Sequence, residues 1–189
     1  MILPALRATA LLLVLTTVAY PAIVTVVAQV LLPESAAGSL VRGADGRVRG
    51  SVRIGQGFTR PEYLHGRPSA AGWDASASAG SNLGPSSARL AARRAEDRTR
   101  LLAENPEAPG PVPEVLLATS ASGLDPHLPP DAARWQLPRI ARARGVRLER
   151  LEALLADHVE GRDLGVFGEP RVNVLTFNLA LDRAFPATP

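Results

Sequence analysis

The chain has 189 residues, enough for one ordinary domain and an extension, because domains commonly span about 100 to 200 residues. Its formal net charge is +3 and all 21 basic residues are arginine, which excludes a lysine-dependent phosphate-binding loop, a Schiff-base lysine and a kinase lysine. It has no cysteine, which excludes disulfides, thiolate metal sites and a cysteine nucleophile.

An uncharged run over residues 8–32 is the first predicted element. At about 1.5 Å per residue it is long enough to cross a hydrocarbon layer of about 30 Å, so we interpret it as an uncleaved transmembrane helix behind a flank of residues 1–7. The competing interpretation is a signal peptide cleaved after residues 35–37, although such peptides have apolar cores of about 7 to 15 residues. Pro21 removes the amide that would bond the carbonyl of Thr17, so we expect a kink or a neighbouring helix there.

Residues 33–189 are predicted to form a soluble α/β domain, a mixed sheet with helices packed on it. Strands are predicted over residues 48–54, over the apolar run 112–120 and, with a helix as the alternative, over residues 175–181. A first helix is predicted from Ser86 or Ser87 to residue 105, with Leu102 on its apolar face. A second is predicted from a cap at Asp131 to Gly145, with an interruption at Pro138. A third is predicted from Leu148 through Val159 to Gly161.

The segment "SASAGSNLGPSS", residues 76–87, consists almost entirely of small residues. Such residues bury little apolar area, so composition alone indicates a flexible linker. Its glycines lead into a predicted helix N-terminus, and backbone amides in that arrangement can also bind an anion.

Two groups of residues raise alternative functions. Ser120, Ser122, Asp125 and His127 are the residue types of a hydrolase nucleophile, orienting acid and base, although a turn with local hydrogen bonds explains the same pattern. The three histidines, His65, His127 and His158, lack metal-ligand spacing, and we predict no metal site.

A basic pair of helices around Gly145 raises DNA binding as a further alternative, since a helix-turn-helix with a basic face can enter the major groove. Such a face is more often solvated or turned to a protein partner, and few aromatics are present for base stacking. The arginines concerned are Arg134, Arg139, Arg142, Arg144, Arg147 and Arg150.

Four motifs in order, behind a span that contains "AYPAIVT", closely resemble the C-subunit family of Kdp potassium-transporting P-type ATPases. They are "IGQGFTRPEYLHGRPSA", "SNLGPSS", "SGLDPHLPPDAARWQLPRIARARGV" and "GEPRVNVLTFNLALD", and the resemblance extends to about Asp182. The sequence departs from the family at Ala79, Ser86, Ser87 and Pro129. The motif residues that we assign to a functional surface are Gln56, Arg67, Pro68, Ser81, Asn82, Leu83, Gly84, Pro85, Ser122, Gly123, Leu124, Asp125, Pro126, Asn173 and Asn178.

The resemblance implies a non-catalytic accessory subunit of an ATP-driven, high-affinity potassium uptake complex. Its implied partners are a channel-like potassium-binding subunit, an ATP-hydrolysing subunit, a small membrane subunit and the lipid bilayer, with no nucleic acid. The family is described as raising the ATP affinity of the hydrolysing subunit, and Gln136, with Arg139 nearby, resembles a glutamine linked to nucleotide. No tightly bound cofactor is implied, and ATP would be met through the partner.

The resemblance also implies a single-pass protein of the inner, cytoplasmic membrane, with the N-terminus inside and the soluble domain outside. Only Arg7 precedes the span, whereas Arg42, Arg47, Arg49 and Arg53 follow it, and this count taken alone favours the opposite orientation. Large trailing domains translocate largely regardless of such charges. The resemblance further implies that residues 76–87 are an ordered connection.

Overall fold

The computed structural model describes residues 2–43 and 45–186, and the chain divides into two compact units between Val41 and Arg42. The first unit holds α1 (Ile2–Val14), a π-helical turn (Leu15–Ala19), α2 (Tyr20–Leu31) and α3 (Pro33–Ala36). The continuous helix from Ile2 to Leu31 contains an 18-residue window with a mean hydropathy of 2.3, so it is long and apolar enough to cross a membrane.

The irregularity expected at Pro21 takes the form of the π turn that ends two residues before it. At the end of this turn the amide of Tyr20, the first residue of α2, donates to the carbonyl of Leu15, one residue further back than in an α-helix. The Thr17 hydroxyl donates to the carbonyl of Leu13 at 2.6 Å and gives that carbonyl a local partner. A change of hydrogen-bond register is a common response to proline, because proline has no amide to donate.

The strand β1 (Leu40–Arg42) crosses the boundary between the units, and the remaining elements lie in the second unit. These are β2 (Val48–Ser51), α4 (Ala88–Glu104), a 3₁₀ turn (Glu114–Leu116), β3 (His127–Leu128), α5 (Pro130–Arg144), α6 (Leu148–Asp157), β4 (Val159–Glu160), β5 (Arg171–Asn173) and α7 (Val174–Ala184).

The α/β class is confirmed, but the three-stranded sheet is antiparallel rather than mixed. Its strand order is β3-β5-β4, with His127 opposite Asn173 and Val159 opposite Val172. Only residues 161–170 connect β4 to β5, which suffices for an antiparallel pair, whereas a parallel pair needs a longer crossover.

The core of the second unit lies between this sheet and the helices α5, α6 and α7. Its fully buried side chains include Leu128, Leu137, Ile140, Leu151, Leu155, Val172, Phe177 and Leu181. The predicted helix end at Gly145 is confirmed, since this residue adopts φ 63° and its amide bonds the carbonyls of Ala141 and Arg142. The predicted start of α4 is also confirmed, and the Ser87 hydroxyl caps the helix by accepting the Leu90 amide.

Several predicted details of the helices are wrong. Pro138 does not interrupt α5, and the carbonyl that loses its helix partner belongs to Arg134, a residue exposed to solvent. Asp131 is not the cap, because α5 begins one residue earlier and the carboxylate binds Arg134 at 2.8 Å instead. On α4 the buried leucine is Leu101, whereas the predicted Leu102 is 44% exposed.

Two predicted strands are also absent from the described residues. Residues 112–120 contain a 3₁₀ turn instead of a strand, although Leu116 and Leu117 within them are buried as predicted for an apolar run. Residues 175–181 form the helix that was the open alternative, with Val174, Phe177 and Leu181 on its buried side. The helix α6 ends at Asp157, so that Val159 belongs to β4.

Candidate functional site

A group of buried side chains holds an irregular segment, residues 61–65, inside the second unit. We call Gln136, Arg139, Arg144 and Asn178 the carbonyl clamp, because together they donate to all five backbone carbonyls of this segment. Arg139 donates to Pro61 and Tyr63, Arg144 to Glu62, Asn178 to Leu64 and Gln136 to His65.

The two amide side chains of the clamp also accept from the segment. Asn178 Oδ1 accepts the Leu64 amide at 2.8 Å and Gln136 Oε1 accepts the His65 amide at 3.0 Å. Each side chain thus pairs with both the amide and the carbonyl of one residue, as a neighbouring antiparallel strand would. Both are only 1% exposed, so an unpaired group here would carry a full desolvation penalty.

The two arginines of the clamp are buried with their charges. Arg144, whose side chain is inaccessible, donates to Asp182 at 2.8 Å and to the carbonyl of Phe185 at 2.6 Å. Burial lowers the pKa of Arg139 to about 10, and the neighbouring Glu104 partly offsets this. Burial and, next, the charge of Arg139 lower the pKa of His65, so protonation of this imidazole is less favourable in the folded protein than in the unfolded chain.

Gln136 and Arg139, the predicted nucleotide-linked residues, thus lie side by side in the clamp. Arg139 Nη2 donates to Gln136 Oε1 at 2.8 Å, and that oxygen also accepts from the backbone of His65. A ligand can reach Gln136 only if the clamp opens. The nucleotide role of these residues remains a prediction.

Two half-open clefts border the clamp. One, of about 390 Å³, is lined in part by His65, Glu104 and Arg142. The other, of about 430 Å³, is lined in part by Tyr63 and Asp182, whose hydroxyl and carboxylate are joined at 3.0 Å. Both clefts combine charged groups with apolar walls, so they suit protein side chains as well as small polar molecules.

A second part of the site is built around the "SGLDP" turn. Asp125 binds Arg67 at 3.1 Å through one oxygen and accepts the His127 amide through the other. The carbonyl of Gly123 accepts the Ser69 hydroxyl at 2.6 Å. Gly123 has φ 70°, and a Cβ there would lie 2.7 Å from the carbonyl oxygen of Ala79, so only glycine fits.

The start of the small-residue segment 76–87 runs along this turn. The amide of Ala79 and the hydroxyl of Ser78 both donate to the carbonyl of Ser122, at 2.9 and 3.1 Å. The Ser81 hydroxyl accepts from Thr119 at 3.2 Å. These bonds describe the ordered connection that the resemblance implies. Asn82, Gly84 and Pro85 are exposed and Leu83 is half-buried.

The other motif residues fix neighbouring segments to one another. The buried Asn173 caps α7 through the Thr176 amide and donates to the carbonyl of Val52 at 2.8 Å. Three motif carbonyls accept backbone amides: Pro68 accepts from Ser120, Leu124 from Gly55 and Pro126 from Val174. The side chain of Gln56 donates to the carbonyl of Arg49.

The hydrolase residues do not form a catalytic arrangement. The Ser122 hydroxyl accepts the Leu124 amide within its own turn, and no hydrogen bond joins it to an imidazole in the described part of the chain. His127 Nδ1 lies 3.9 Å from Asp125 Oδ1, beyond hydrogen-bonding distance. The turn interpretation is therefore correct, and the four residues provide no nucleophile-base pair.

The basic face of α5 and α6 is largely occupied within the protein. Arg139 and Arg144 are buried in the clamp, Arg142 binds Glu107 and the carbonyl of Glu104, and Arg150 stacks on the ring of Phe185. These groups are not free to neutralise phosphates, which argues against the DNA-binding alternative. No cluster of metal-ligating side chains occurs in residues 2–43 and 45–186.

Sequence analysis missed the role of Arg144 and of the carbonyl acceptors in residues 61–65. Arginine is mostly exposed in proteins, so arginines repeated along a helix predict a solvated or partner-facing surface. The available signal was the spacing of Gln136, Arg139 and Arg144 on one helix, which alternates with the apolar Leu137 and Ile140. That spacing places polar groups on the core side of α5.

We predict that Asn178→Asp destabilises the protein by about 3 kcal/mol, because a buried carboxylate cannot donate to the Leu64 carbonyl and would face it with like charge. Denaturant titration of the full chain in detergent, followed by the fluorescence of Trp73 and Trp135, measures the change. Gln56→Glu is the matched control, since its amide also donates to a carbonyl but is less buried, and should cost no more than about 1 kcal/mol. Equal effects in both variants would contradict the clamp.

The lowered pKa of His65 predicts a specific loss of stability in acid. As the pH falls, the imidazole of the unfolded chain is protonated near its ordinary pKa of about 6.5, whereas the imidazole of the folded chain is protonated only at a lower pH. Stability is therefore full above that pH and declines as the pH falls through the folded pKa. Parallel titrations of wild type and His65→Gln, which retains a donor for the Arg60 carbonyl, test this between about pH 7.5 and 5. Wild type should lose more stability than the variant, whereas parallel profiles would refute the assignment.

Comparison with known proteins identifies the family. The family model described as "KdpC: K+-transporting ATPase, c chain" matches residues 2–183. The chain is 58% identical to the potassium-transporting ATPase KdpC subunit of Myxococcus xanthus, over 99% of this chain and 90% of that protein. It is 50% identical to the KdpC subunit of Caulobacter sp. strain K31, over 97% of this chain and 94% of that protein. The chain therefore belongs to the KdpC family of K+-transporting ATPase c chains, the accessory rather than the catalytic component.

Proposed function

We propose that this chain anchors itself in the inner membrane and stabilises the assembly of a potassium-transporting ATPase. Its partners in this proposal are a channel-like potassium-binding subunit, an ATP-hydrolysing subunit and a small membrane subunit. The observation that carries the proposal is the family match over residues 2–183. The apolar helix Ile2–Leu31 supports it, because its side chains are exposed within the chain and require either lipid or partner helices around them.

The architecture of the second unit supports a scaffold. Buried side chains fix residues 61–65 and the half-buried Arg67 and Ser69 fix the "SGLDP" turn, while the clefts beside the clamp remain open. A rigid surface with preformed clefts loses little conformational entropy when it binds another protein.

A finer part of the proposal is that the chain raises the ATP affinity of the hydrolysing subunit. Gln136 and Arg139 support an indirect effect on ATP affinity, because both side chains are buried and hydrogen-bonded within the clamp rather than exposed to a ligand. In this proposal they hold residues 61–65 in the shape that the partner recognises. No tightly bound cofactor is required, and ATP stays with the partner.

We predict that the tagged full chain, expressed with the other subunits of its own ATPase and solubilised in detergent, recovers those subunits. An unrelated single-span protein with the same tag is the control. A folded chain that recovers none of them would refute the assembly role. The finer ATP role is tested on the same material, since the KM for ATP should rise when this chain is omitted. An unchanged KM would remove that role and leave assembly in place.

We further propose that the N-terminus lies inside and the second unit outside the cytoplasmic membrane. Alkaline phosphatase, active only after export, and a fluorescent protein that matures only inside are each fused after Pro189. We expect phosphatase activity without fluorescence, because a large trailing domain translocates despite the arginines that follow the span. Fluorescence without phosphatase activity would reverse the orientation and make direct contact with cytoplasmic ATP possible.

A further inference from the structure

The connection between β4 and β5 presents three large apolar side chains to solvent. We call residues 161–170 the apolar loop. Within it Leu164, Val166 and Phe167 are 90%, 66% and 65% exposed. Exposed apolar residues are ordinary when scattered, but a contiguous group of them commonly marks an interaction site.

The apolar loop is an ordered turn. The amide of Asp163 donates to the carbonyl of Phe167 at 2.8 Å, and the amide of Phe167 donates back to the carbonyl of Asp163 at 2.9 Å. The amide of Gly165 closes the tip by donating to the carbonyl of Arg162. The three apolar side chains are thus displayed on a fixed backbone, which lowers the entropy lost when they bind.

The charges around the apolar loop are paired with one another. Arg171 donates to both carboxylate oxygens of Asp163, at 3.0 and 3.1 Å, and to Glu160 at 3.0 Å, while Arg162 donates to Glu169 at 2.9 Å. These five residues are all the charged side chains between Glu160 and Arg171. The pairs brace the base of the loop and leave its tip uncharged.

Leu164 is unfavourable for the stability of the isolated chain. Its φ of 53° lies in the left-handed region, which is strained for a residue with a Cβ and a branched side chain. Its 90% exposure means that burial does not compensate for this strain. Glycine would satisfy the turn better, so the folded chain alone does not explain leucine at the tip. Strained, exposed residues of this kind are typical of ligand contacts.

Charge decides between a membrane surface and a protein as the occupant. The loop and its flanks carry two arginines and three carboxylates, a net charge of −1. Anionic lipid attracts basic segments and would repel this one. A protein pocket lined by uncharged apolar groups suits a neutral tip whose surrounding charges are already paired.

We propose that the apolar loop is a preformed anchor that inserts Leu164 and Phe167 into an uncharged apolar pocket on another subunit of the potassium-transporting ATPase. This inference rests on the proposed assembly function and specifies where one contact lies. Large apolar anchors of this kind commonly dominate the binding free energy of an interface.

Leu164→Gly tests the inference, because it removes the side chain and also relieves the backbone strain. The full chain should be as stable as wild type or more so in detergent, yet recover its partner subunits about tenfold less well or worse. Phe167→Asp should weaken recovery similarly. Leu102→Asp is the matched control, since Leu102 is a partly exposed leucine on α4, and it should recover the subunits as wild type does. Undiminished recovery by both loop variants would overturn the inference.

A photoreactive benzoylphenylalanine in place of Phe167 identifies the occupant directly. We expect an adduct with another subunit of the ATPase in cells that contain the complete complex. An adduct with lipid alone, or with a second copy of this chain alone, would overturn the inference while the assembly function stands. If wild type itself recovers no subunit, the assembly function fails and this inference fails with it.

Discussion

The second unit depends on hydrogen bonds from buried side chains to a backbone segment that belongs to no helix or strand. Residues 61–65 run from the exposed Pro61 through the buried Leu64 to the half-buried His65. An unpaired peptide group at a buried position costs about 1 to 3 kcal/mol. The carbonyl clamp supplies side-chain partners for all five carbonyls. Because the clamp residues come from α5 and α7, the same bonds fix these two helices relative to the segment between them.

This constraint explains the chemistry of the helices. A guanidinium offers five donors in a planar fork, so Arg139 can bind two carbonyls and the oxygen of Gln136 at once. The ammonium of a lysine, on its flexible stem, lacks this planar arrangement of donors and is less suited to binding several carbonyls at once. What resembles a basic, nucleic-acid-binding face in the sequence is therefore partly an internal scaffold. The buried charges are tolerated because Asp182 and many carbonyls surround them.

Local signals predicted the elements that depend on local physics. Ser87 and Gly145 mark helix ends because a cap needs only its own few neighbours. The long apolar run was equally plain, and the order of four motifs indicated the family. The failures share a different cause. Residues 112–120 are apolar because they are buried, and burial alone does not distinguish a strand from a 3₁₀ turn.

The candidate site was named residue by residue only through the resemblance. Its geometry was beyond sequence reasoning, because Asn178 binds Leu64 across 114 positions and Gln136 binds His65 across 71. The periodic patterns of apolar residues in a sequence do not reveal hydrogen bonds between residues so far apart. The strain at Leu164 was likewise not predictable from the sequence, because its positive φ arises only in the folded turn.

The clamp also governs when the chain can fold. Residues 61–65 are synthesised well before Asn178, which lies 114 positions after Leu64, and before Phe185, whose carbonyl accepts from Arg144. Until then the peptide groups of Leu64 lack their native partners, and closing so long a loop is slow. A nascent chain that stops before α7 therefore cannot complete its interior. Chains truncated before α7 therefore keep these peptide groups unpaired and stay open to proteolysis.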